Sequence, residues 1–207
     1  MKQNRHGKIV IISSPSGGGK TSICHRLLSP TRRKQGWQFS VSYTTRERRP
    51  GEKNGREYHF VTDRQFDRQV RQGAFAEHFR VHLYRYGTPR PPLEKAIKSG
   101  GVMVLDVDVQ GALRLRKIYP QAITIFVLPP SRTALRERLQ RRGTESQEQL
   151  RVRRKNALKE MKLYHRFEYV VINDDLATAV SEVLAIVRSH HCRTVNHDQK
   201  QMRKITG

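Results

Sequence analysis

The sequence predicts an α/β fold in which a mostly parallel sheet is flanked by helices. Almost continuous apolar runs at 102–106, 123–128 and 169–172 are typical of buried parallel strands, because helices cover both faces of such strands. Segments with helical patterning separate these runs, which is the alternation expected of an α/β sheet. The stretch 37–88 holds several short strands and one helix, and it is interpreted as a lobe inserted into this core.

Length and composition indicate one domain with a large excess of positive charge. The 207 residues are 36% hydrophobic, enough for a sizeable core, and carry a formal net charge of +23. No apolar run approaches the ~18 residues of a membrane helix, and two cysteines make no disulfide framework. We therefore expect a cytoplasmic protein without a membrane segment. Nucleic acid binding is not expected as its main function, since the basic residues are spread along the chain without an RNA-binding motif.

A phosphate-binding motif follows the first predicted strand, 8–13. A strand, a glycine-rich loop, a Lys-Thr pair and a predicted helix form the context of a P-loop, whose backbone N–H groups converge on phosphate oxygens. Lys20 can reach a β- or γ-phosphate, and the Thr21 hydroxyl is placed to ligate Mg²⁺. The alternative, a plain flexible turn, would require neither the strand before the glycines nor the Lys-Thr pair and the helix after them. The residues expected to bind a nucleoside triphosphate are Ser14 (where the pattern has Gly), Pro15, Ser16, Gly17, Gly18, Gly19, Lys20 and Thr21.

The remaining elements follow in order. In the lobe we expect strands at 38–43, 58–61 and 75–82 and a helix at 64–72 capped by Asp63. The core resumes with helices at 93–99 and 111–117, a helix capped by Ser131 that runs through 140, a long helix to about 164, and a last helix at 176–188. The tail 190–207 has no periodicity and is expected to be disordered.

A polar loop rich in arginine and glycine, 44–58, offers a second anion site. Arg46 and Arg49 lie in this loop, and the Tyr58 phenol lies at its end. Guanidinium groups bind phosphate well because their donors match two of its oxygens. The residues alone leave open the alternative of a solvated basic loop.

The chain resembles guanylate kinase, a family of nucleoside monophosphate kinases. The loop 44–58 meets every fixed position of the family pattern T-T-R-x-x-R-x-G-E-x-x-G-x-x-Y. Other family segments follow in order over 7–188: Phe75–Glu77, Tyr86–Thr88, Leu105–Gly111, Pro129–Ser131, Arg142–Glu145 and Val171–Asp175. The resemblance implies a P-loop NTPase-type domain at 7–189, with a core at 7–36 and 89–189, a GMP-binding lobe at about 37–88 and a basic lid at about 138–154.

The implied activity is transfer of the ATP γ-phosphoryl group to GMP, and to dGMP, giving ADP and GDP in purine nucleotide metabolism. ATP is the implied co-substrate and Mg²⁺ the implied cofactor, held by Thr21 with Asp106 through water. The implied GMP-binding residues are Ser42, Arg46, Arg49, Tyr58, Glu77, Tyr86, Thr88 and Asp106. The implied catalytic residues are Lys20, Arg142, Arg153 and Asp106, and Asn173 and Asp174 are implied near the ATP base.

The role implied for Glu77 has a chemical basis. Guanine presents two adjacent donors, N1–H and the 2-amino group, which one carboxylate can accept together, whereas adenine presents a different pattern. Three departures from the family's usual residues, Leu83, Arg85 and Pro91-Pro92, bear on how the lobe closes. Asp108 is a weaker candidate for the site, with helix capping as the alternative.

Three other functions are weighed against this one. A related kinase could phosphorylate a ribose phosphate, although the complete arginine motif and Glu77 favour GMP. A non-catalytic peptide-binding module is expected to have lost P-loop residues, and here Lys20 and Thr21 are present. A nucleic acid binder would show steeply salt-dependent binding. The sequence leaves open whether the protein is a monomer or a homo-oligomer.

Overall fold

A computed structural model describes residues 7–81, 83–141, 147–193 and 199–206. The strands are β1 (Lys8–Ser13), β2 (Trp37–Phe39), β3 (Ser42–Thr44), β4 (Tyr58–Phe60), β5 (Phe75–Val81), β6 (Tyr84–Pro89), β7 (Val102–Asp106), β8 (Ile123–Leu128) and β9 (Tyr169–Ile172). The helices are α1 (Lys20–Leu27), α2 (Pro30–Lys34), α3 (Asp63–Arg71), α4 (Arg90–Ser99), α5 (Val109–Ile118), α6 (Arg132–Gln140), α7 (Gln147–Met161), α8 (Leu176–His191) and α9 (Gln199–Thr206).

The strands form two sheets. A five-stranded parallel sheet has the order β2-β7-β1-β8-β9, and a four-stranded sheet has the order β4-β3-β6-β5. The second sheet is mixed, since β3 pairs with β4 in parallel and with β6 antiparallel. The predicted mostly parallel core sheet is therefore confirmed, with a separate lobe sheet beside it.

The side chains of β1 show why its sequence is apolar throughout. Val10 and Ile12 join a core cluster that includes side chains of α1 and α8. Ile9 and Ile11, on the other face, join a cluster that includes side chains of α4 and α5. Because successive side chains of a strand point to opposite faces, helices on both sides require apolar residues at every position.

The predicted strand 38–43 is wrong as a single element. Trp37–Phe39 belongs to the core sheet, where it pairs with β7, and Ser42–Thr44 belongs to the lobe sheet, where Tyr43 pairs with Gly87. The chain changes sheets at Ser40 and Val41. A run of strand-forming residues carries no sign of such a change, because the change is decided by pairing partners distant in sequence.

Two helix starts also differ from expectation. Thr62, and not Asp63, caps α3: its hydroxyl accepts the Gln65 N–H at 3.2 Å while the Gln65 side chain accepts the Thr62 N–H at 2.9 Å. This reciprocal capping box satisfies two backbone donors at once. Helix α4 begins at Arg90, so both prolines that follow lie in its first turn, where a missing N–H costs nothing.

Helical structure extends into the stretch 190–207, which the sequence predicts to be disordered. Helix α8 continues to His191, and α9 covers Gln199–Thr206. The last turn of α8 packs on β9: His190 is buried, and its ring lies 2.9 Å from the Tyr169 hydroxyl and 3.4 Å from the Glu168 carboxylate. These contacts extend the helix beyond the point where its apolar pattern ends.

The predicted lid, 138–154, includes the end of α6 and the start of α7. Residues 142–146 between these helices lie outside the described part of the chain, and Arg142 is one of them. Over the described ranges, no helix combines the length and apolar character that a membrane crossing requires.

Candidate active site

A cleft of about 840 Å³ runs between the P-loop and the inserted lobe. Its lining comes from three parts of the chain that are distant in sequence: the P-loop with the end of β7, the arginine loop 44–58 with β4 and β6, and the lid helix α7. A smaller cavity of about 180 Å³ also lies against Lys20, Tyr86 and Asp106 and includes Glu77 in its wall. The P-loop, predicted to bind the phosphate donor, and the arginine loop, predicted to bind the acceptor, therefore line the same cleft.

The P-loop has the backbone shape that its glycines predict. Gly17 and Gly19 adopt φ values of +88° and +92°, in the left-handed region that side chains disfavour. Helix α1 begins at Lys20, and no side chain caps its N-terminus. The free N–H groups of a helix's first turn and its partial positive charge form an anion site.

Asp106 accepts hydrogen bonds from two side chains of the P-loop, Lys20 and Thr21. Lys20 Nζ donates to Asp106 Oδ1, and the Thr21 hydroxyl donates to Asp106 Oδ2 at 2.7 Å. Burial opposes the charge of Lys20, but the charge and hydrogen bond of Asp106 outweigh it, so the pKa of Lys20 is raised. The parallel pairing of β1 with β7 explains the contact, since it aligns Ile12 with Asp106 beside the P-loop.

The lid helix holds the P-loop through two side chains. Arg153 Nε donates to Ser16 Oγ at 2.9 Å, as expected of a residue predicted to reach this site. Glu160 Oε2 accepts the Ser16 N–H at 3.2 Å, although this residue was not among those expected at the site. Glu160 follows Arg153 by two helical turns on the same face of α7, and that spacing was the available signal.

Asn173 links the P-loop to the end of β9. Its side-chain Nδ2 donates to the Gly18 carbonyl at 3.0 Å, and its backbone carbonyl accepts from the Arg138 guanidinium at 2.8 Å. A Cβ at Gly19 would lie 2.1 Å from the Asn173 amide, so this close approach requires glycine. Asp174 is exposed at the same edge of the sheet.

The second anion site centres on Arg46, which is buried in the lobe. Its guanidinium donates to both oxygens of Glu52 at 2.8 and 3.0 Å, and it lies 5.6 Å from the ring centroid of Tyr58. The Arg49 N–H also donates to Glu52, at 2.8 Å. Burial alone would raise the pKa of Glu52, but these hydrogen bonds lower it. Glu52, a fixed position of the arginine motif, therefore orients the loop.

Two phenols complete this site. The rings of Tyr58 and Tyr86 lie 5.9 Å apart, and Tyr86 stacks on Phe79 at 6.1 Å. Burial raises the pKa of Tyr58. Its hydroxyl therefore stays protonated at neutral pH and can donate a hydrogen bond to an anion.

Glu77 is a buried carboxylate in the wall of the smaller cavity, 6% exposed. Its Oε1 accepts from the Thr88 hydroxyl at 2.6 Å, while no described residue donates to its Oε2. Burial raises the pKa of Glu77 to about 7, against the hydrogen bond from Thr88. Pairing of β5 with β6 sets Glu77 beside Thr88, and buried Ser42 lines the same cavity.

The alternative given for Asp108 is confirmed. Its carboxylate caps α5 by accepting the Gly111 N–H at 2.7 Å. Asp108 also lines both the cleft and the smaller cavity. Capping fixes this side chain, so Asp106 is the carboxylate that contacts the P-loop.

Comparison with known proteins identifies relatives of this chain. The family model for guanylate kinase matches residues 6–190. Guanylate kinases from Thermotoga maritima and Pseudomonas savastanoi pv. phaseolicola are 43% and 42% identical to this chain, over 94% and 96% of it and 92% and 95% of their own lengths.

The crystal structure of a guanylate kinase from Anaplasma phagocytophilum has the same fold. It aligns with a TM-score of 0.79 at 29% identity, covering 97% of this chain and 94% of that one. The α/β fold and the nucleoside monophosphate kinase class expected from the sequence are thereby confirmed. With its P-loop, its arginine loop and this match along nearly its whole length, the chain belongs to the guanylate kinase family.

Proposed function

We propose that this protein transfers the γ-phosphoryl group of ATP to GMP, giving ADP and GDP. One observation carries the proposal: a single cleft brings together a P-loop with Lys20 and a second anion site built on Arg46. A kinase needs both sites, because its catalysis consists mainly of placing two phosphate groups in line. Family membership supports the same reaction.

Arg46, Arg49, Tyr58 and Tyr86 are proposed to hold the phosphate of GMP. Glu77 is proposed to read the base: its carboxylate, whose Oε2 has no partner among the described residues, would accept guanine N1–H and the 2-amino group. Ser42 and Thr88 line the same cavity and would contact other edges of the base. None of these contacts requires the ribose 2′-hydroxyl, so dGMP is proposed as a second acceptor.

The P-loop is proposed to hold the β- and γ-phosphates of ATP. Its backbone N–H groups and Lys20 would bind the phosphate oxygens, and Arg153 would approach them from α7, where it already contacts Ser16. Asn173 and Asp174, at the end of β9, are proposed to lie near the ATP base. Arg142 is proposed as a second lid arginine from its sequence position alone.

The residues beside the P-loop fit Mg²⁺. The Thr21 hydroxyl and the Asp106 carboxylate lie 2.7 Å apart, and both are oxygen ligands. Magnesium in kinases takes few protein ligands and completes its shell with phosphate oxygens and water. Bound there with ATP, the ion would neutralise phosphate charge during transfer. A cytoplasmic location is proposed with this activity.

No strong general base is required for the reaction. The acceptor phosphate of GMP is already an oxyanion near neutral pH, and the cationic groups of the cleft would draw it toward the donor. Lys20 and Arg153 would stabilise charge on the transferring group, and Arg46 would fix the acceptor. Closure of the lobe and lid would exclude water and limit hydrolysis of ATP.

A coupled assay of ADP release with a panel of acceptors tests the proposal. With ATP and Mg²⁺ we expect rapid turnover with GMP and dGMP, and turnover at least about a hundredfold slower with AMP, because adenine lacks the donor pair that Glu77 would accept. Faster turnover with a ribose phosphate than with GMP would overturn the assignment in favour of a sugar phosphate kinase.

Replacing Arg46 with alanine is expected to weaken GMP binding. Loss of a buried, charge-assisted contact costs about 1.5–3 kcal/mol, so the KM for GMP should rise by about tenfold to a hundredfold with a smaller change in the KM for ATP. Arg48→Ala is the matched control, since Arg48 lies in the same loop and is exposed. Steady-state kinetics with each substrate varied measures both effects. Equal effects of the two substitutions would contradict the role of Arg46.

The use of GMP is expected to depend on pH through Glu77. The pKa of this carboxyl in the ligand-free protein is raised to about 7, and only the ionised form is an acceptor at both oxygens without an O–H that opposes the donors of guanine. The kcat/KM for GMP should therefore fall about tenfold per pH unit below about 7. At saturating GMP the bound guanine keeps Glu77 ionised, so the kcat/KM for ATP serves as the control and should vary less. A flat profile for GMP between pH 5.5 and 8 would contradict the prediction.

A further inference from the structure

The cleft accounts for few of the positive charges of this chain, whose formal net charge is +23. Outside the cleft, α6 and α7 carry one group of exposed basic residues on the side turned away from the P-loop. We call this surface the lid face. It comprises Arg132, Arg136, Arg151, Arg154, Lys155 and Lys159, all of them exposed.

The lid face is continuous across the two helices. Arg136 of α6 and Arg151 and Arg154 of α7 line one groove of about 170 Å³. Along α7, Arg151, Lys155 and Lys159 recur every four residues, so they lie on one side of the helix over about 12 Å. Arg132 lies one turn before Arg136 on α6. The surface is thus a cationic strip beside a cationic groove.

The opposite side of α7 belongs to the active site. Arg153 and Glu160 contact Ser16 of the P-loop, and Ala157 between them is fully buried. The six residues of the lid face do not line the cleft. Binding of a partner to the lid face would therefore leave the nucleotide sites open.

The charges of the lid face are not neutralised within the described part of the chain. None of its six cations forms an ion pair or hydrogen bond with another described residue there. Nearby carboxylates are few: Glu137 lies 4.0 Å from Arg141, Glu160 is directed at Ser16, and Glu148 is exposed at the start of α7. Unpaired cations held on one surface repel each other, and a polyanion would relieve that repulsion.

We propose that the lid face binds the phosphate backbone of double-stranded nucleic acid. The backbone of a duplex presents a rigid row of anions, which suits a strip and groove carrying six cations. Contacts of this kind position a protein on a duplex without reading its sequence. RNA and DNA duplexes are therefore expected to bind with similar affinity.

Two other polyanions fit the lid face less well. Sites for single strands use exposed aromatic rings on which bases stack, and no Phe, Trp or Tyr occurs between residues 127 and 163. Helices that lie on anionic membranes expose an apolar face. Here Leu139 and Ala157 are buried in one cluster with Leu158 and Met161 packed against it, so that face is used between α6 and α7.

Fluorescence anisotropy with a labelled 20-base-pair duplex tests the proposal on the full chain. We expect a dissociation constant of about 10⁻⁶ M or tighter at 50 mM salt, and a plot of log K against log salt with a slope of about −4 to −5, as expected for five phosphate contacts. RNA and DNA duplexes should agree within about threefold, and a single strand of equal length should bind more weakly.

Matched triple variants separate the lid face from the general charge of the protein. Arg136→Gln, Arg151→Gln and Lys155→Gln together should weaken duplex binding more than about tenfold and make the slope about 2.7 less steep. Arg64→Gln, Arg68→Gln and Arg71→Gln on α3 remove the same charge from another exposed surface and should change binding less than about threefold. Phosphoryl transfer should be unchanged in both. If the first triple variant does not fold, Arg151→Gln with Lys155→Gln replaces it.

Three results would overturn the proposal. Equal loss of binding in the two triple variants would show that net charge, and not the lid face, attracts the duplex. Absence of duplex binding at 50 mM salt would show that the face has no such function. Tighter binding to vesicles containing 30% phosphatidylserine than to the duplex, at the same salt, would identify a membrane surface as the partner. All of these readouts are independent of the proposed phosphotransfer.

Discussion

Lys20→Ala is expected to lower turnover at saturating ATP and GMP by at least about a thousandfold. Removal of one uncharged donor that stabilises transition-state charge commonly costs about 10²–10³ in kcat, and Lys20 carries a full charge. Its hydrogen bond to Asp106 holds its ammonium group beside the P-loop. The substitution would also leave the Asp106 carboxylate without its cation, which adds repulsion toward the incoming phosphates.

Lys95→Ala is the matched control for this prediction, because Lys95 is an exposed lysine on α4, outside the cleft. Turnover is measured by ADP release, and thermal melting verifies that both variants are folded. If Lys20→Ala melts normally and retains more than a tenth of the control's turnover, the assignment of the P-loop as the donor site is wrong.

Glu77→Gln is expected to lower the kcat/KM for GMP by about 10³–10⁴. A site built to hydrogen-bond a substrate discriminates strongly when one partner cannot pair, since buried polar groups are then left unmatched. The glutamine would keep one acceptor oxygen, which Thr88 already uses, and would direct its NH₂ group at the donors of guanine. The acceptor panel measures the effect, and the KM for ATP should change little.

The same substitution is expected to stabilise the ligand-free protein at alkaline pH. Burial raises the pKa of Glu77 from 4.5 to about 7, so above pH 7 the folded protein holds an ionised carboxylate at a cost of about 3 kcal/mol. Glutamine removes that cost. In the wild type, the folded protein binds a proton at Glu77 more tightly than the unfolded chain does, and this binding stabilises the fold. The stabilisation is absent above pH 7, grows as the pH falls through 7 and is complete below about 4.5.

Thermal melting at pH 8 and pH 5 measures this difference. Glu77→Gln should raise the melting temperature at pH 8 and have a smaller or opposite effect at pH 5. Thr88→Val is a useful comparison, since it removes the hydrogen bond to Glu77 while leaving the carboxyl group in place. A lower melting temperature for Glu77→Gln at pH 8 would show that the carboxylate is stabilised by its surroundings.

The two anion sites could be found from the sequence because each is a local motif. The P-loop residues are contiguous, and the arginine motif places Arg46, Arg49 and Tyr58 within one loop. Glycine and arginine at fixed spacing carry their chemistry wherever the loop folds, because the backbone shape and the guanidinium donors are properties of the segment itself. The apolar runs of the core strands are local in the same sense.

What the sequence could not determine depends on partners far apart in the chain. The change of sheet at Ser40 and Val41 follows from pairing with β7 and β6. The hydrogen bond from the Ser16 N–H to Glu160 joins residues 144 positions apart. The continuation of α8 depends on the contact of His190 with Tyr169. Each is decided by packing energies that a local pattern does not contain.

Taken by itself, the sequence determined that this chain is an α/β protein of the guanylate kinase family with a P-loop and a second anion site. Only the tertiary structure decided that Asp106 connects Lys20 with Thr21, that Glu77 is buried with one oxygen unpaired, and that the cations of α6 and α7 form one outer face. The physical reason is that burial and charge neighbourhood are properties of the packed chain. Burial sets the pKa of Glu77, and the charges around the lid face leave its cations unneutralised. No single segment of the chain encodes either property.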